Sequence, residues 1–314
     1  MTKSILVLKE LLSEQINELE EIAADYNLIY DIEKAKPEET EIILGWSEDV
    51  IPLIEANESI VKWIQYPFAG VNSLPLTLFK EKGIHLTNGS GIHQFAVAES
   101  AIGLLLGLTR HIMDSARDQL KKEWVDVRNL YELHGKTMMI VGAGKIGIHL
   151  GQIAKGFGMK TIGINRSGRD IKNMDEQYVQ ENLADVIGKA DIVVNILPAT
   201  DETHHLFDAD MFEQMKQDVI YINVGRGETV DTEALLAALD KDKILFAGLD
   251  VFEEEPLPKG HPLWTHSKVL ITPHIAGRVE SYPKYLYPII KKNIESFLAD
   301  QQVTENVIDL GEGY

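Results

Sequence analysis

The sequence predicts an α/β protein of two domains, each a doubly wound parallel sheet with helices on both faces. Three observations carry this. The 314 residues suffice for two domains of roughly 100–200 residues each. Short apolar runs alternate with stretches of helical periodicity along the chain, the pattern of parallel strands joined by helices. The alternation also restarts after a charged stretch, Asp114 to Glu132.

In the first series, Ile5–Leu8, Ile42–Leu44, Val61–Gln65 and Ile84–Thr87 read as strands. A helix follows from about Phe95 to Arg110. Its residues Ala98, Ala101, Ile102, Leu104, Leu105, Leu106 and Leu108 are apolar nearly all round. Such a helix is buried on more than one side, between domains or against a second subunit. Asp114 to Glu132 reads as an excursion or linker. In the second series, Thr137–Val141, Lys160–Ile164, Asp191–Ile196, Asp218–Asn223, Lys243–Gly248 and Lys268–Thr272 read as six strands. The tail from about Tyr285 to Ala299 reads as one amphipathic helix that returns to the first domain. The expected spans are 1–98 completed by 285–314, and 99–284.

Composition narrows the function. The chain is 45% hydrophobic and 25% charged, so it is not disordered by composition. A formal net charge of −19 repels phosphate, which argues against a broad nucleic-acid surface and an anionic membrane. A small anionic ligand in a locally positive pocket stays open. The absence of cysteine excludes disulfides, thiolate metal sites and a cysteine nucleophile, and fits a reducing compartment. Lys9 and Glu10 cut short the apolar run that starts at Ile5, so no secretory signal is expected. The most apolar stretch, Ala101 to Leu108, is far below the roughly 20 residues that span a bilayer. A cytoplasmic protein is expected.

The most readable motif is Gly142-Ala143-Gly144-Lys145-Ile146-Gly147. A G-x-G-x-x-G string alone is weak. Here Met138–Val141 feeds into it as a buried strand, and Ile146, Leu150, Ile153, Ala154 and Phe157 follow at helical spacing. Gly142 permits the tight turn, Gly144 lets backbone approach a pyrophosphate, and Gly147 lets the helix pack on the strand. The N–H groups of the first helical turn then face the anion. The second domain is thus expected to be a Rossmann dinucleotide-binding domain. An NAD site places a carboxylate about 20 residues beyond the loop, on the ribose 2′-hydroxyl. This chain has Asn165-Arg166-Ser167 there. No carboxylate repels a 2′-phosphate, and Arg166 and Ser167 can donate to one. NADP is preferred on this reading, with NAD the alternative if Arg166 is only a solvated loop residue.

Three further segments end predicted strands, where the ligand crevice of such a sheet lies. They are Asn223–Gly227 with Val230-Asp231, Leu249–Pro256, and Ile271–Gly277. Chemistry on a 2-oxo acid needs a cation for the carboxylate and carbonyl, an acid for the developing alkoxide, and a carboxylate that orients the acid. Arg226, His274 and Glu255 supply that set. Each alone has a plain alternative: a surface arginine, a core histidine, a solvated acidic run. Their conjunction downstream of the glycine loop is what carries the reading.

With these segments in this order and spacing, the chain resembles the D-isomer-specific 2-hydroxyacid dehydrogenases, a family that includes glyoxylate and hydroxypyruvate reductases. The resemblance extends over nearly the whole chain and includes Asn195–Thr200 with Thr203. It implies a flavodoxin-like substrate domain ahead of the Rossmann domain and hydride transfer between NADP(H) and C2 of a small 2-oxo or 2-hydroxy acid. Arg226 would bind the substrate carboxylate and carbonyl, His274 would be the general acid and base, and Glu255 would pair with His274. Asp250 would lie near the nicotinamide, and Leu197, Pro198, Thr203 and Val224 beside the cofactor. Ala69-Gly70-Val71 resembles the turn whose backbone N–H groups meet the substrate carboxylate. Asn88 and Ala98-Glu99 fit the family pattern at the start of the long helix. Most members carry Asp where this chain has Asn165. The resemblance also implies a homodimer, with the Phe95–Arg110 helix fitting the contact; an active site in the interdomain cleft is expected, and no regulatory domain is expected after the core.

Other signals point elsewhere or nowhere. His204-His205 lacks a third ligand at metal spacing, and adjacent residues of a helix or strand point apart, so it reads as surface and no metal is expected. Glu253-Glu254-Glu255 reads as a solvated acidic loop apart from Glu255. No serine has a G-x-S-x-G setting. Trp46, Tyr66, Phe68 and Tyr282 have no assigned role, though Tyr66 and Phe68 lie just before Gly70. Two rival functions remain: an NAD-dependent dehydrogenase of the phosphoglycerate or lactate type, and a non-enzymatic cofactor-sensing protein of the same fold.

Overall fold

The computed structural model describes residues 3–71 and 73–311. Residues 1, 2, 72 and 312–314 of the expected spans lie outside the described residues. The chain divides into two compact units, Met1–Ile92 with Val279–Tyr314, and His93–Arg278. The expected breaks at 98/99 and 284/285 therefore fall late: the long central helix belongs wholly to the second unit, and the first unit resumes at Val279, ahead of the C-terminal helix.

The first unit holds β1 (Lys3–Val7), α1 (Ser13–Ile22), β2 (Tyr26–Ile29), β3 (Thr40–Leu44), α2 (Ile51–Glu55), β4 (Trp63–Gln65), α3 (Leu76–Lys82) and β5 (His85–Thr87). The strands are parallel in the order β2-β1-β3-β4-β5, the flavodoxin-like arrangement. Side chains alternate across the sheet. Ile5, Val7, Ile42, Leu44 and Trp63 pack beneath Leu19 of α1, Ala23 just beyond it and the C-terminal helix. Leu6, Ile43, Ile64 and Leu86 face the other way, onto Leu53 and Ile54 of α2 and Phe79 of α3. β2 escaped the sequence reading. Tyr26-Asn27-Leu28-Ile29 is a half-buried edge without an apolar run.

The second unit opens with α4 (Gln94–Thr109) and α5 (Ile112–Lys121), followed by β6 (Thr137–Val141), α6 (Lys145–Gly156), β7 (Lys160–Asn165), β8 (Glu176–Val179), α7 (Leu183–Val186), β9 (Ile192–Asn195), α8 (Ala209–Gln214), β10 (Val219–Asn223), α9 (Thr232–Asp240), β11 (Ile244–Leu249) and β12 (Val269–Ile271). Its sheet is also parallel, in the order β12-β11-β10-β9-β6-β7-β8. That is the dinucleotide-binding order with an added strand, β12. Seven strands stand where six were read. Glu176-Gln177-Tyr178-Val179 is another polar edge with no apolar run to betray it. α10 (Tyr282–Asp300) returns to the first unit as expected, starting ahead of Tyr285.

The apolar central helix was expected between domains or against a subunit. Instead α4 and α6 together cover one face of their own sheet, burying Ala98, Ala101, Leu104, Leu105 and Leu108 against Met138, Ile140, Ile220 and Ile222. Part of the presumed linker is helix α5, which has no buried residue. Six exposed large apolar side chains lie there and just beyond it, among them Ile112, Leu120 at 87%, Trp124 at 91% and Val127 at 87%. No single helix among the described residues is long and apolar enough to cross a membrane.

Glu41 of β3 locks the amino end of the first sheet. It is buried and lies 2.8 Å from Lys3 of β1 and 2.9 Å from Lys62 beside β4. It also accepts a hydrogen bond from Tyr26 of β2. Burial alone would raise this carboxyl, but the donors from Lys3, Tyr26 and Lys62 outweigh it and hold Glu41 below the usual carboxylate range. Its contribution is therefore present above the unfolded value near 4.5 and is lost as pH falls through the lowered folded value. Glu41→Gln should cost about 1.5–3 kcal/mol at pH 7, the worth of charge-assisted hydrogen bonds. In urea unfolding, the deficit should shrink as pH drops below about 4.5. A deficit independent of pH would refute this account.

Candidate active site

The loops that bear Arg226, Glu255 and His274 follow β10, β11 and β12, three strands that lie side by side. Sheet order thus gathers residues far apart in sequence onto one carboxyl edge. His274 Nδ1 lies 2.6 Å from Glu255 Oε2. The other Glu255 oxygen accepts from Phe252 N at 3.0 Å, so the carboxylate is fixed at both ends. With Nδ1 engaged, Nε2 is the ring nitrogen left for a substrate.

His274 sits in the left-handed region, φ 50°, where a non-glycine residue needs outside support. Asp250 provides it. Its buried carboxylate accepts from Thr272 Oγ1 at 2.6 Å, Ile275 N at 3.0 Å and Ala276 N at 2.9 Å. Its backbone carbonyl also accepts from His274 N at 2.8 Å. The sequence reading put Asp250 beside the nicotinamide. In the structure its carboxylate is taken up by the turn that carries His274. The same turn is braced by His93, ahead of α4, whose Nδ1 lies 2.7 Å from Gly277 O.

Arg226 is exposed, with one guanidinium nitrogen donating to Gly225 O at 2.8 Å. Its backbone is set by two asparagines that are register partners on β9 and β10, Asn195 and Asn223. Asn223 donates to Arg226 O and accepts from Gly225 N. Asn195 donates to Thr229, whose hydroxyl donates to Arg226 O at 2.7 Å, and accepts from Leu197 N. The next residue must be glycine. A Cβ on Gly227 would stand 1.9 Å from the Phe252 backbone, so the arginine loop packs directly on the Glu255 loop.

A further tie had no sequence signal. His205 Nε2 lies 2.6 Å from Glu253 Oε1, and Glu253 Oε2 accepts from Thr232 N at 2.9 Å. Glu253 thereby links three loops. Burial would raise its carboxyl, but its hydrogen bonds from Thr232 and His205 hold it below the usual range. The expectation that His204 and His205 point apart also fails. They lie in a turn with His205 at φ 49°, and their rings stack 4.1 Å apart.

The glycine loop joins β6 to α6. Gly142 has φ +91°, and a Cβ there would meet Ile196 backbone at 2.9 Å. A Cβ on Gly147 would press on Ile140 and Ala143 at 3.1 and 3.2 Å, as close helix–strand packing requires. A Cβ on Gly144 would meet only Gly142 O, at 4.0 Å, so the space over the helix start is a cradle that a side chain would fill. Ala143 is buried, Lys145 exposed and Ile146 half-buried. The residues present fit a dinucleotide pyrophosphate at that helix start.

The remaining cofactor candidates divide. Arg166 is exposed and 3.9 Å from Glu202, and Ser167 is exposed beside it. Asn165 is buried, donating to Arg169 O at 2.7 Å and accepting from Gly168 N at 2.6 Å. It shapes the turn that presents Arg166 rather than facing outward. Thr203 is likewise occupied, donating to Pro198 O at 2.6 Å and accepting from Thr200 N at 2.9 Å. Pro198 is exposed, while Leu197 and Val224 are buried. In the first unit, Asn88 donates to Ala69 O at 2.6 Å and holds the turn in which Ala69 and Gly70 are exposed and Val71 is buried.

The family model for the NAD binding domain of D-isomer specific 2-hydroxyacid dehydrogenases matches residues 102–276. The glyoxylate reductase of Aeropyrum pernix is 34% identical over 76% of this chain and 74% of its own length. A D-isomer specific 2-hydroxyacid dehydrogenase family protein of Aeromonas salmonicida is 33% identical with a TM-score of 0.79, covering 99% of this chain and 100% of that one. An NADPH-dependent glyoxylate/hydroxypyruvate reductase of Sinorhizobium meliloti, solved with NADP and sulfate, is 25% identical with a TM-score of 0.75 over 99% and 100% of the two chains. The chain therefore belongs to the D-isomer specific 2-hydroxyacid dehydrogenases, NAD(P)-dependent oxidoreductases acting on CH–OH groups.

Proposed function

We propose that this enzyme reduces a small 2-oxo acid of the glyoxylate or hydroxypyruvate type, with NADPH as its preferred cofactor. The observation that carries this is the 2.6 Å Glu255–His274 pair on loops adjoining that of Arg226. Arg226 holds the acid's carboxylate and polarises its carbonyl, aided by the backbone N–H groups of Ala69, Gly70 and Val71. The bound cofactor supplies a hydride to the carbonyl carbon. As the carbonyl electron pair moves onto oxygen, His274 Nε2 gives that oxygen its proton, and Glu255 holds the imidazole at Nδ1 throughout. In the oxidative direction His274 takes the proton back. The glyoxylate reductase relative and the NADP-bound reductase structure support both substrate class and cofactor. A full catalytic pair disfavours a purely sensing role.

Within the site, Gly142 to Gly147 would hold the pyrophosphate, with Leu197, Pro198, Thr203 and Val224 lining the cofactor. Arg166 and Ser167 would meet the 2′-phosphate on the turn built by Asn165. We further propose a homodimer whose contact is the apolar arm after α4 rather than α4 itself, because exposed apolar side chains cluster there.

His274→Ala should lower kcat for glyoxylate or hydroxypyruvate about 10²- to 10⁴-fold, while NADPH binding followed by fluorescence stays within about twofold. Normal turnover would sink the mechanism. Arg166→Gln should raise the KM for NADPH by roughly tenfold or more, the worth of a charge-assisted hydrogen bond, and leave the NADH constants nearly unchanged. A wild-type enzyme that prefers NADH would overturn the cofactor reading. Light scattering on the eluting protein should give a dimer mass, and Trp124→Glu with Leu120→Glu should give a monomer; a wild-type monomer would refute the arm.

A further inference from the structure

The carboxyl edge of the first sheet carries a cation that the proposed chemistry does not use. In the order β2-β1-β3-β4-β5, the chain reverses direction across the sheet between β1 and β3. Such a switch point opens a crevice where ligands bind. Lys9 stands there, two residues past the end of β1. Its backbone is pinned to the end of β3, with Leu8 N and Lys9 N both donating to Leu44 O at 2.8 and 3.1 Å. Gly45, at φ +119°, allows that approach, since a Cβ there would stand 2.9 Å from Leu8 Cβ and 3.0 Å from Lys9 N.

The Lys9 ammonium lies 4.7 Å from the Tyr282 ring centroid and 5.7 Å from that of Phe68. Phe68 packs edge-on against both Tyr66 and Tyr282. The Tyr282 hydroxyl donates to Pro67 O. Burial, with Tyr66 nearby, pushes Tyr282 up to about 12, so it is a neutral neighbour and no counter-ion. None of the ion pairs among the described residues involves Lys9, in a chain with 49 acidic against 30 basic side chains. Ring contacts orient an ammonium without neutralising it, and apolar walls strengthen its pull on an anion. Phe68, half exposed, directly precedes the turn Ala69–Val71 proposed to hold the reacting carboxylate.

We propose that Lys9 recognises a second, distal carboxylate on the substrate, so that this site, beyond glyoxylate and hydroxypyruvate, takes oxaloacetate in preference to pyruvate. This rests on the reading of the protein as a 2-oxo acid reductase. The aromatic rings hold the ammonium in place, and the backbone turn takes the carboxylate next to the carbonyl.

The test compares wild type, Lys9→Met and Lys9→Arg, each with NADPH, on oxaloacetate, pyruvate and glyoxylate. Wild type should favour oxaloacetate over pyruvate. Lys9→Met should lose about 10- to 100-fold in kcat/KM for oxaloacetate, chiefly through KM. It should stay within about twofold on the two monocarboxylates, and Lys9→Arg should recover most of the loss. Equal losses on all three acids, or a wild type indifferent to the distal carboxylate, would overturn the proposal. Calorimetric titration with D-malate and D-lactate reads the same contact without turnover. A tenfold weaker malate affinity in Lys9→Met, with lactate unchanged, would support the role of Lys9 even if no acid were reduced, which would defeat the reductase reading instead. Identical malate affinities would refute Lys9.

Discussion

The catalytic edge depends on one buried carboxylate. Asp250 lies at the end of β11 with only 1% of its surface exposed. A buried charge at that depth is tolerated only when its oxygens are satisfied. Three donors satisfy it, all from residues 272–276. The requirement runs both ways: the carboxylate needs those donors, and the donors fix a turn whose central residue is in a conformation it would not adopt alone. His274 is thereby placed where Glu255 can reach Nδ1, which leaves Nε2 for the proposed proton transfer.

The neighbouring loops follow the same logic, mostly with neutral groups. Asn195 and Asn223 end paired strands and each uses its carboxamide to fold the turn beyond it. Thr203 and Asn165 do so for the loops on the cofactor side. Glu253 joins three loops through Thr232 and His205. Each tie removes freedom that would otherwise be lost when the transition state forms. Truncating one of these residues should therefore act on rate through geometry, without any contact to the reacting atoms.

This division of labour explains what the sequence could and could not reveal. Strands buried on both faces are continuous apolar runs, so β6 was readable to the residue and β10 to within one. The edges β2 and β8 are four-residue, partly exposed strands that mix polar and apolar side chains, and they left no such trace. The glycine loop and the Arg226, Glu255 and His274 segments stood out because their chemistry demands particular residue types at strand ends. The family resemblance placed Asp250 and Thr203 beside the cofactor, and Asn165 drew notice because it stands where a carboxylate is usual. Only coordinates show that their polar atoms point into the protein's own turns. Helix α4 misled in a related way. An apolar surface all round signals burial, but it does not say whether the cover is a second chain or the helix's own sheet. The His205–Glu253 contact joins residues 48 apart through a turn with no period, and neither residue type marks such a partner.

Charge sets a last constraint. An anionic substrate and a phosphate-bearing cofactor must approach a chain of net charge −19. At physiological ionic strength that repulsion is screened over about 8 Å, so it governs encounter more than binding. Within the screened range local cations decide, and those proposed for recognition sit at carboxyl edges: Arg166 after β7, Arg226 after β10 and Lys9 after β1. Parallel sheets make this economical, because each strand delivers the next loop to the same edge. The acidic remainder then serves solubility without weakening recognition. It also implies that raising ionic strength should speed encounter by screening the net charge while loosening the short-range ion pairs, so on-rate and affinity should respond to salt in opposite directions.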